Sequence, residues 1–230
     1  MIERLLPGEL AWEETRTDPP EAWLFDEEAV VIARAVDKRR REFTTVRHCA
    51  RAALAKIGVP AAALLPGERG APGWPAGVVG SMTHCAGYRA AVVGLEKSVI
   101  TVGIDAEPHD VLPDGVLNAV TIPAERPRIE ALSTADPSVH WDRILFSAKE
   151  SVYKAWFPIT GEWLGFEDAD LTIDPAGTFT ARLLKTGPDV EGEPLTSFTG
   201  RWLADDGLII TAITRLPGRE SVQGRPAASP

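Results

Sequence analysis

The sequence predicts an α+β fold made of two similar halves. Three observations lead to this reading. A helical pattern followed by short apolar strands occurs twice along the chain. The strands are joined by short polar turns of the hairpin type, which makes the sheets small and antiparallel. The chain has 230 residues, which suits one large domain or two small ones. The halves are expected at residues 1–104 and 105–216. The tail 217–230 is rich in Gly, Pro, Ser and Arg and is expected to be disordered. The duplication rests on element order alone, since no sequence repeat accompanies it.

The elements follow in order. Phe43, Val46, Ala50, Leu54 and Ile57 recur at helical spacing, so a helix is expected across Lys38 to Lys56. Asp37 is the candidate cap, and Gly58 and Pro60 stop the helix. A Pro- and Gly-rich loop runs from Pro60 to Ala76. Val78 to Met82, Tyr88 to Leu95 and Val99 to Ile104 read as strands. The last two are expected to form a hairpin across Glu96-Lys97-Ser98. In the second half, Leu145, Ala148, Val152 and Trp156 mark a helix from Trp141 to Phe157, ended by Pro158. Ala169 to Ile173 and Thr178 to Leu184 are strands across a turn at Asp174-Pro175-Ala176-Gly177. Phe198 to Leu203 and Leu208 to Thr214 form a hairpin across Asp205-Asp206-Gly207.

Composition excludes several classes. Lys and Arg number 24 against 33 Asp and Glu, a formal net charge of −9. A general nucleic-acid binder needs a strong positive field, so that class is set aside. No apolar run approaches the roughly 18–20 residues that span a bilayer. Met1 to Glu14 has mixed charges and no apolar core, unlike a secretory signal. The two cysteines, Cys49 and Cys85, have no zinc-ligand spacing, and a reducing cytoplasm is the expected location.

Against this acidic background one segment is basic. Lys38, Arg39, Arg40, Arg41, Arg47, Arg51 and Lys56 lie on the first helix, opposed there only by Glu42. The segment is either a solvated face or an anion site. Val102-Gly103-Ile104-Asp105-Ala106-Glu107 ends an apolar strand in two acids at i, i+2, which share one face. Such a pair suits a hard cation such as Mg²⁺; the plain alternative is a solvated strand end. In Phe146-Ser147-Ala148-Lys149-Glu150-Ser151-Val152-Tyr153-Lys154, Glu150 and Lys154 are helical neighbours. By itself this is an ordinary surface ion pair. Gly80-Ser81-Met82-Thr83-His84 offers hydroxyls and an imidazole at a strand end, groups able to bind phosphate. It also reads as a polar turn. His48, His109 and His140 lack metal spacing and are read as surface or structural residues.

Taken together and in this order, the four segments resemble the Sfp-type 4'-phosphopantetheinyl transferases, over roughly residues 20–215. V-G-I-D-x-E and F-S-A-K-E-S-x-Y-K are the two signatures of that family. The second signature, with Gly80 to Arg89, resembles the branch of enterobactin synthase component D and the actinobacterial enzymes that serve large synthases. The resemblance implies a monomer of two pseudo-twofold-related halves with coenzyme A in the cleft between them. It implies transfer of the phosphopantetheine arm of coenzyme A to a serine of an apo acyl, polyketide or peptidyl carrier, with release of 3',5'-ADP. It implies that Asp105, Glu107 and Glu150 hold Mg²⁺ or Mn²⁺, and that Glu150 is the base on the carrier serine. Lys154, assisted by Lys149, would neutralise the pyrophosphate. Arg39, Arg47, Arg69, Ser81, Thr83 and His84 would hold the nucleotide phosphates and adenine, with His84 on the 3'-phosphate. Arg40 is an equal physical choice beside Arg47. The apolar stretch from Val111 to Ile122 would help receive the carrier, or else is a core helix. The rival readings are another Mg²⁺-dependent phosphoryl-transfer enzyme and a non-catalytic coenzyme-binding module.

Overall fold

The computed structural model describes residues 1–218. In chain order the elements are β1 (Ala11–Thr15), α1 (Asp26–Val31), α2 (Asp37–Lys56), β2 (Val78–Cys85), β3 (Tyr88–Leu95) and β4 (Thr101–Pro108). Then come α3 (Val116–Val120), α4 (Arg126–Ala135), α5 (Trp141–Thr160), β5 (Ala169–Asp174) and β6 (Thr178–Leu183). The chain ends with β7 (Asp189–Val190), β8 (Glu193–Pro194), β9 (Ser197–Asp205) and β10 (Leu208–Arg215). Among the described residues no helix is long and apolar enough to cross a membrane. Of the expected disordered tail, residues 219–230 lie outside the described residues.

The expected α+β architecture with antiparallel sheets is present. One sheet has the order β1-β3-β2, a second the order β4-β10-β9-β6-β5, and β7 and β8 pair by themselves. Helix α2 covers the first sheet, with Cys49, Ala50, Ala53 and Leu54 against Val78, Ala91 and Val93. Helix α5 covers the second, with Leu145, Ala148, Val152 and Trp156 against Leu171, Phe179, Ile209 and Ile213. The β9–β10 hairpin turns at Asp206 and Gly207, both with positive φ (46° and 73°), the backbone that a two-residue hairpin requires.

The main topological correction concerns β4. It forms no hairpin with β3. The Val99 amide bonds back to Leu95, the Ile100 amide donates to the Arg215 carbonyl, and β4 then pairs with β10 along its whole length. The first six residues of β4 are buried, which is the mark of an interior strand. The expected division at 104/105 therefore cuts a continuous strand. The free side of β4 meets β2 through side chains rather than a main-chain ladder. The amides of Ile104 and Ala106 donate to Ser81 Oγ at 3.1 Å and to Thr83 Oγ1 at 3.0 Å. These two hydroxyls join the sheets.

Smaller differences have local causes. Pro158 does not end α5; it lies in the last turn, where its missing N–H removes one bond, and Gly161 caps the helix at φ 66°. Asp37 is the first helical residue rather than the cap. β1, α1 and α4 were not anticipated; α1 and α3 are too short for a clear period. Gly103 lets β4 lie directly on α5. A Cβ there would run into the Ser151 carbonyl oxygen and lie 2.7 Å from the Ala155 nitrogen.

Candidate active site

Helix α2 and strand β2 form one wall of a cleft of about 810 Å³, and α5 forms the other. That is within the range of small-molecule and cofactor sites. Arg39, Arg47, Arg69, Ser81, His84, Glu150 and Lys154 all line it. Phe43, Val46, Trp74, Tyr153 and Phe157 supply apolar lining. The structure thus brings together most of the residues picked from the sequence, from both halves of the chain.

The basic wall is braced from behind. Glu28 on α1 is fully buried; it accepts from Arg51 Nη1 at 3.1 Å and the Leu64 amide at 2.8 Å, and lies 3.6 Å from Arg47 Nε. Arg47 also donates to the Leu64 carbonyl and stacks its guanidinium over Phe43, 3.2 Å from the ring centroid. Burial pulls the Arg47 guanidinium down to about 10. Arg39 Nη1 lies 2.7 Å from His84 Nε2. Arg69, in the loop after α2, holds φ 52° and lies over the Trp163 ring.

Arg40 does not join this wall. Its guanidinium donates to the carbonyls of Ala33 at 2.6 Å and Ala35 at 2.8 Å. These carbonyls follow the end of α1, where helical partners are lacking.

The acidic wall is built from β4 and α5 running past each other. Lys154 Nζ donates to Asp105 Oδ1 at 2.8 Å and to the Ile104 carbonyl at 3.1 Å. Arg143, two helical turns before Glu150, donates to Glu107 Oε2 at 2.9 Å. Burial, opposed by Lys154 and reinforced by the Asp105 charge, pushes the Glu150 carboxyl above the usual carboxylate range. Burial and Asp105 likewise push Glu107 up, against Arg143. Asp105 therefore repels both Glu107, on its own strand, and Glu150, on α5. Among the described residues no three acids, histidines or cysteines are drawn into a closed ligand set. Asp105 Oδ2, however, is buried and has no hydrogen-bond partner. A buried, unsatisfied carboxylate oxygen beside two destabilised carboxylates is a donor set that fits a hard divalent cation.

Thr83 and Lys149 are placed outside the cleft, and Ser81, which lines it, has its hydroxyl engaged by β4. Ser81 and Thr83 are both 3% exposed and serve the β2–β4 junction described above. Thr83 Oγ1 also donates to Asp105 Oδ1 at 3.3 Å, so it orients that carboxylate rather than facing the cleft. Lys149 points away from the cleft into the second half. Its Nζ donates to Glu125 Oε2 at 2.9 Å and to the carbonyls of Phe166 at 2.6 Å and Ala169 at 3.0 Å. Glu125, also fully buried, accepts the amides of Ile122 and Leu171. Replacing Lys149 by Met would leave Glu125 buried without a cation, and is expected to cost about 3–5 kcal/mol in urea unfolding. An unchanged midpoint would contradict this assignment. His109 and His140 pair edge to face beside the start of α5, in keeping with a structural role.

Sequence reasoning missed Glu28, Trp74, Arg143 and the role of Tyr153. Glu28 and Arg143 carry no local motif, because their partners lie far away in the chain. Trp74 was a visible signal, a lone aromatic in a Pro- and Gly-rich loop. Its indole Nε1 donates to the Gly80 carbonyl at 2.9 Å, and a Cβ on Gly80 would meet the ring.

A cleft with cations on one wall and carboxylates plus a lysine on the other defines a class of phosphoryl-type transferase acting on a multiply charged substrate. Comparison with known proteins gives the family. Residues 26–94 match the 4'-phosphopantetheinyl transferase N-terminal domain, and residues 101–202 match the 4'-phosphopantetheinyl transferase superfamily. The chain is 57% identical over 217 residues to 4'-phosphopantetheinyl transferase Svp of Streptomyces mobaraensis, covering 93% of this chain and 88% of that one. It is 55% identical over 222 residues to 4'-phosphopantetheinyl transferase PptT of Mycobacterium tuberculosis, covering 93% and 97%. Enterobactin synthase component D of Salmonella typhi is 31% identical over 185 residues, covering 78% and 75%. The chain belongs to the 4'-phosphopantetheinyl transferase family. It is an enzyme that transfers phosphopantetheine from coenzyme A to apo carrier proteins.

Proposed function

We propose that the transfer takes place in the cleft between α2 and α5, with Glu150 as the base. The observation that carries this is the position of Glu150 in the cleft, one helical turn from Lys154 and facing the arginines of α2. A serine hydroxyl is a weak nucleophile until its proton is removed. Glu150 takes that proton, directly or through water, and its raised pKa brings it closer to the working pH of a base. Lys154, in the cleft beside Asp105, would neutralise the negative charge that builds on the pyrophosphate and the departing 3',5'-ADP. Arg39, Arg47 and His84, which line the cleft, would hold the nucleotide phosphates, and Arg69, also in its lining, would meet the adenine. Phe43, Trp74 and Tyr153 cover the apolar parts of the coenzyme and exclude water.

Asp105, Glu107 and Glu150 would hold Mg²⁺, or Mn²⁺, which accepts the same oxygen donors. Bound there, the ion supplies positive charge to the pyrophosphate. Arg143 keeps Glu107 aimed, and Thr83 and Lys154 do the same for Asp105. The acceptors are serines of acyl, polyketide or peptidyl carriers, met at exposed Val111 and the α3 segment beside the acidic wall. The protein works as a cytoplasmic monomer.

Metal removal tests the ion assignment. Enzyme stripped with a chelator is expected to lose transfer and to regain it with Mg²⁺ or Mn²⁺. Binding of Mn²⁺, followed by its electron paramagnetic resonance without turnover, is expected to weaken in Asp105→Asn. Full transfer after chelation, or unchanged Mn²⁺ binding in that variant, would contradict it.

A further inference from the structure

Besides Asp37 at its start, the basic helix contains one further acid, and its position has a use. Glu42 lies on α2 among Lys38, Arg39, Arg40 and Arg41, yet is 8% exposed. Its Oε2 lies 3.8 Å from His84 Nδ1, and its Oε1 lies 4.0 Å from Lys38 Nζ. On the other side of the same imidazole, Arg39 Nη1 is 2.7 Å from Nε2. An arginine nitrogen only donates, so Nε2 is the acceptor and carries no proton in the free enzyme. The ring proton is therefore on Nδ1, facing Glu42. The ring is neutral in this state, and 3.8 Å is too long for a hydrogen bond.

A phosphate oxyanion also only accepts. It cannot bond to Nε2 as the ring stands. For His84 to donate to a phosphate, Arg39 must leave Nε2 and Nε2 must take a proton from solvent. The ring then becomes an imidazolium with both nitrogens donating. Burial opposes that charge most, and the cations around it add to this: Arg39 on α2, Lys154 on α5 and Arg89 on β3. Among the described residues, Glu42 is the acid acting in its favour.

We propose that Glu42 is a positioning residue that faces the His84 Nδ1–H and serves as counter-ion when His84 is protonated on binding the 3'-phosphate of coenzyme A. This rests on the reading that His84 meets that phosphate. It goes further by making coenzyme binding a proton-uptake step. The phosphate draws Arg39 onto itself, which removes the cation from Nε2 and supplies an anion in its place. Both changes favour the imidazolium, and Glu42 completes its partners on the Nδ1 side.

Calorimetric titration with coenzyme A at about pH 7.5, in buffers of different ionisation enthalpy, reads the protons taken up. The wild type is expected to take up protons with coenzyme A and not with dephospho-coenzyme A. Glu42→Gln is expected to bind coenzyme A roughly tenfold more weakly, with reduced proton uptake, and Glu42→Asp to retain uptake. His84→Gln is expected to show no uptake. Binding of coenzyme A by the wild type with no proton uptake overturns the inference, whether or not Glu42→Gln folds. So does uptake that is unchanged in a folded Glu42→Gln. Failure to bind coenzyme A at all would overturn the coenzyme assignment of the cleft and this inference with it.

Discussion

Glu150→Gln is expected to lower phosphopantetheine transfer by about 10²–10⁴-fold, the usual worth of a positioned general base. The amide keeps the size and one oxygen of the carboxylate but cannot take the proton of the carrier serine. Coenzyme binding should persist, because Arg39, Arg47 and His84 lie on the opposite wall. The loss should therefore fall on kcat rather than on the KM for coenzyme A. A pH profile adds a second reading. Burial and the Asp105 charge raise the Glu150 pKa despite Lys154, so the acid form persists to higher pH than for an ordinary Glu. The base is active when ionised. Activity should thus fall as pH drops, along an acidic limb lying above the usual carboxylate range. Transfer at the wild-type rate by Glu150→Gln would remove the base assignment.

Gly103→Ala is expected to have the largest effect on structure and a large one on rate. An added methyl would run into the Ser151 carbonyl oxygen and crowd the Ala155 nitrogen, so α5 must move off β4. Overpacking of this kind costs about 1–3 kcal/mol, and more where backbone is the obstacle. For a chain of this size that is a fall in Tm of roughly 2–12 °C. The same movement shifts Glu150 and Lys154 away from Asp105, since these residues face each other across that contact. A misplacement of about 1 Å in a reacting geometry costs on the order of 100-fold in rate. Thermal melts and kcat measured together test this. A variant with wild-type Tm and kcat would show that the close approach is not required. Buried hydroxyls hold the neighbouring α5–β10 contact: Ser147 and Ser151 on α5 both lie within hydrogen-bond distance of Thr211 Oγ1 on β10, at 3.0 and 2.7 Å.

The readable parts of the molecule are those whose chemistry is local. Asp105 with Glu107, and Glu150 with Lys154, sit close together in sequence, so strand and helix periods already place their side chains. The β5–β6 and β9–β10 hairpins were legible because their turn residues lie between the strands they join. The β3–β4 hairpin was wrong for the converse reason. Glu96-Lys97-Ser98 is a plausible turn, but β4 gains its ladder from β10, about a hundred residues later. Arg40 and Lys149 show the limit for charged residues. Sequence gives the charge but not the partner, and the carbonyls after α1 and the buried Glu125 claim these two. Ser81 and Thr83 were read as phosphate ligands because the hydroxyl-rich strand end suits that use. Their hydroxyls instead accept the amides of a strand that approaches without pairing.

The most direct test of the account is the intact mass of an apo carrier protein incubated with coenzyme A, Mg²⁺ and the enzyme. The account predicts that wild-type enzyme adds the mass of one phosphopantetheine arm at the acceptor serine, and that Glu150→Gln adds none over the same time. No mass gain on any of a panel of fatty-acid, polyketide and peptide-synthase carriers would contradict it, as would an equal gain with Glu150→Gln.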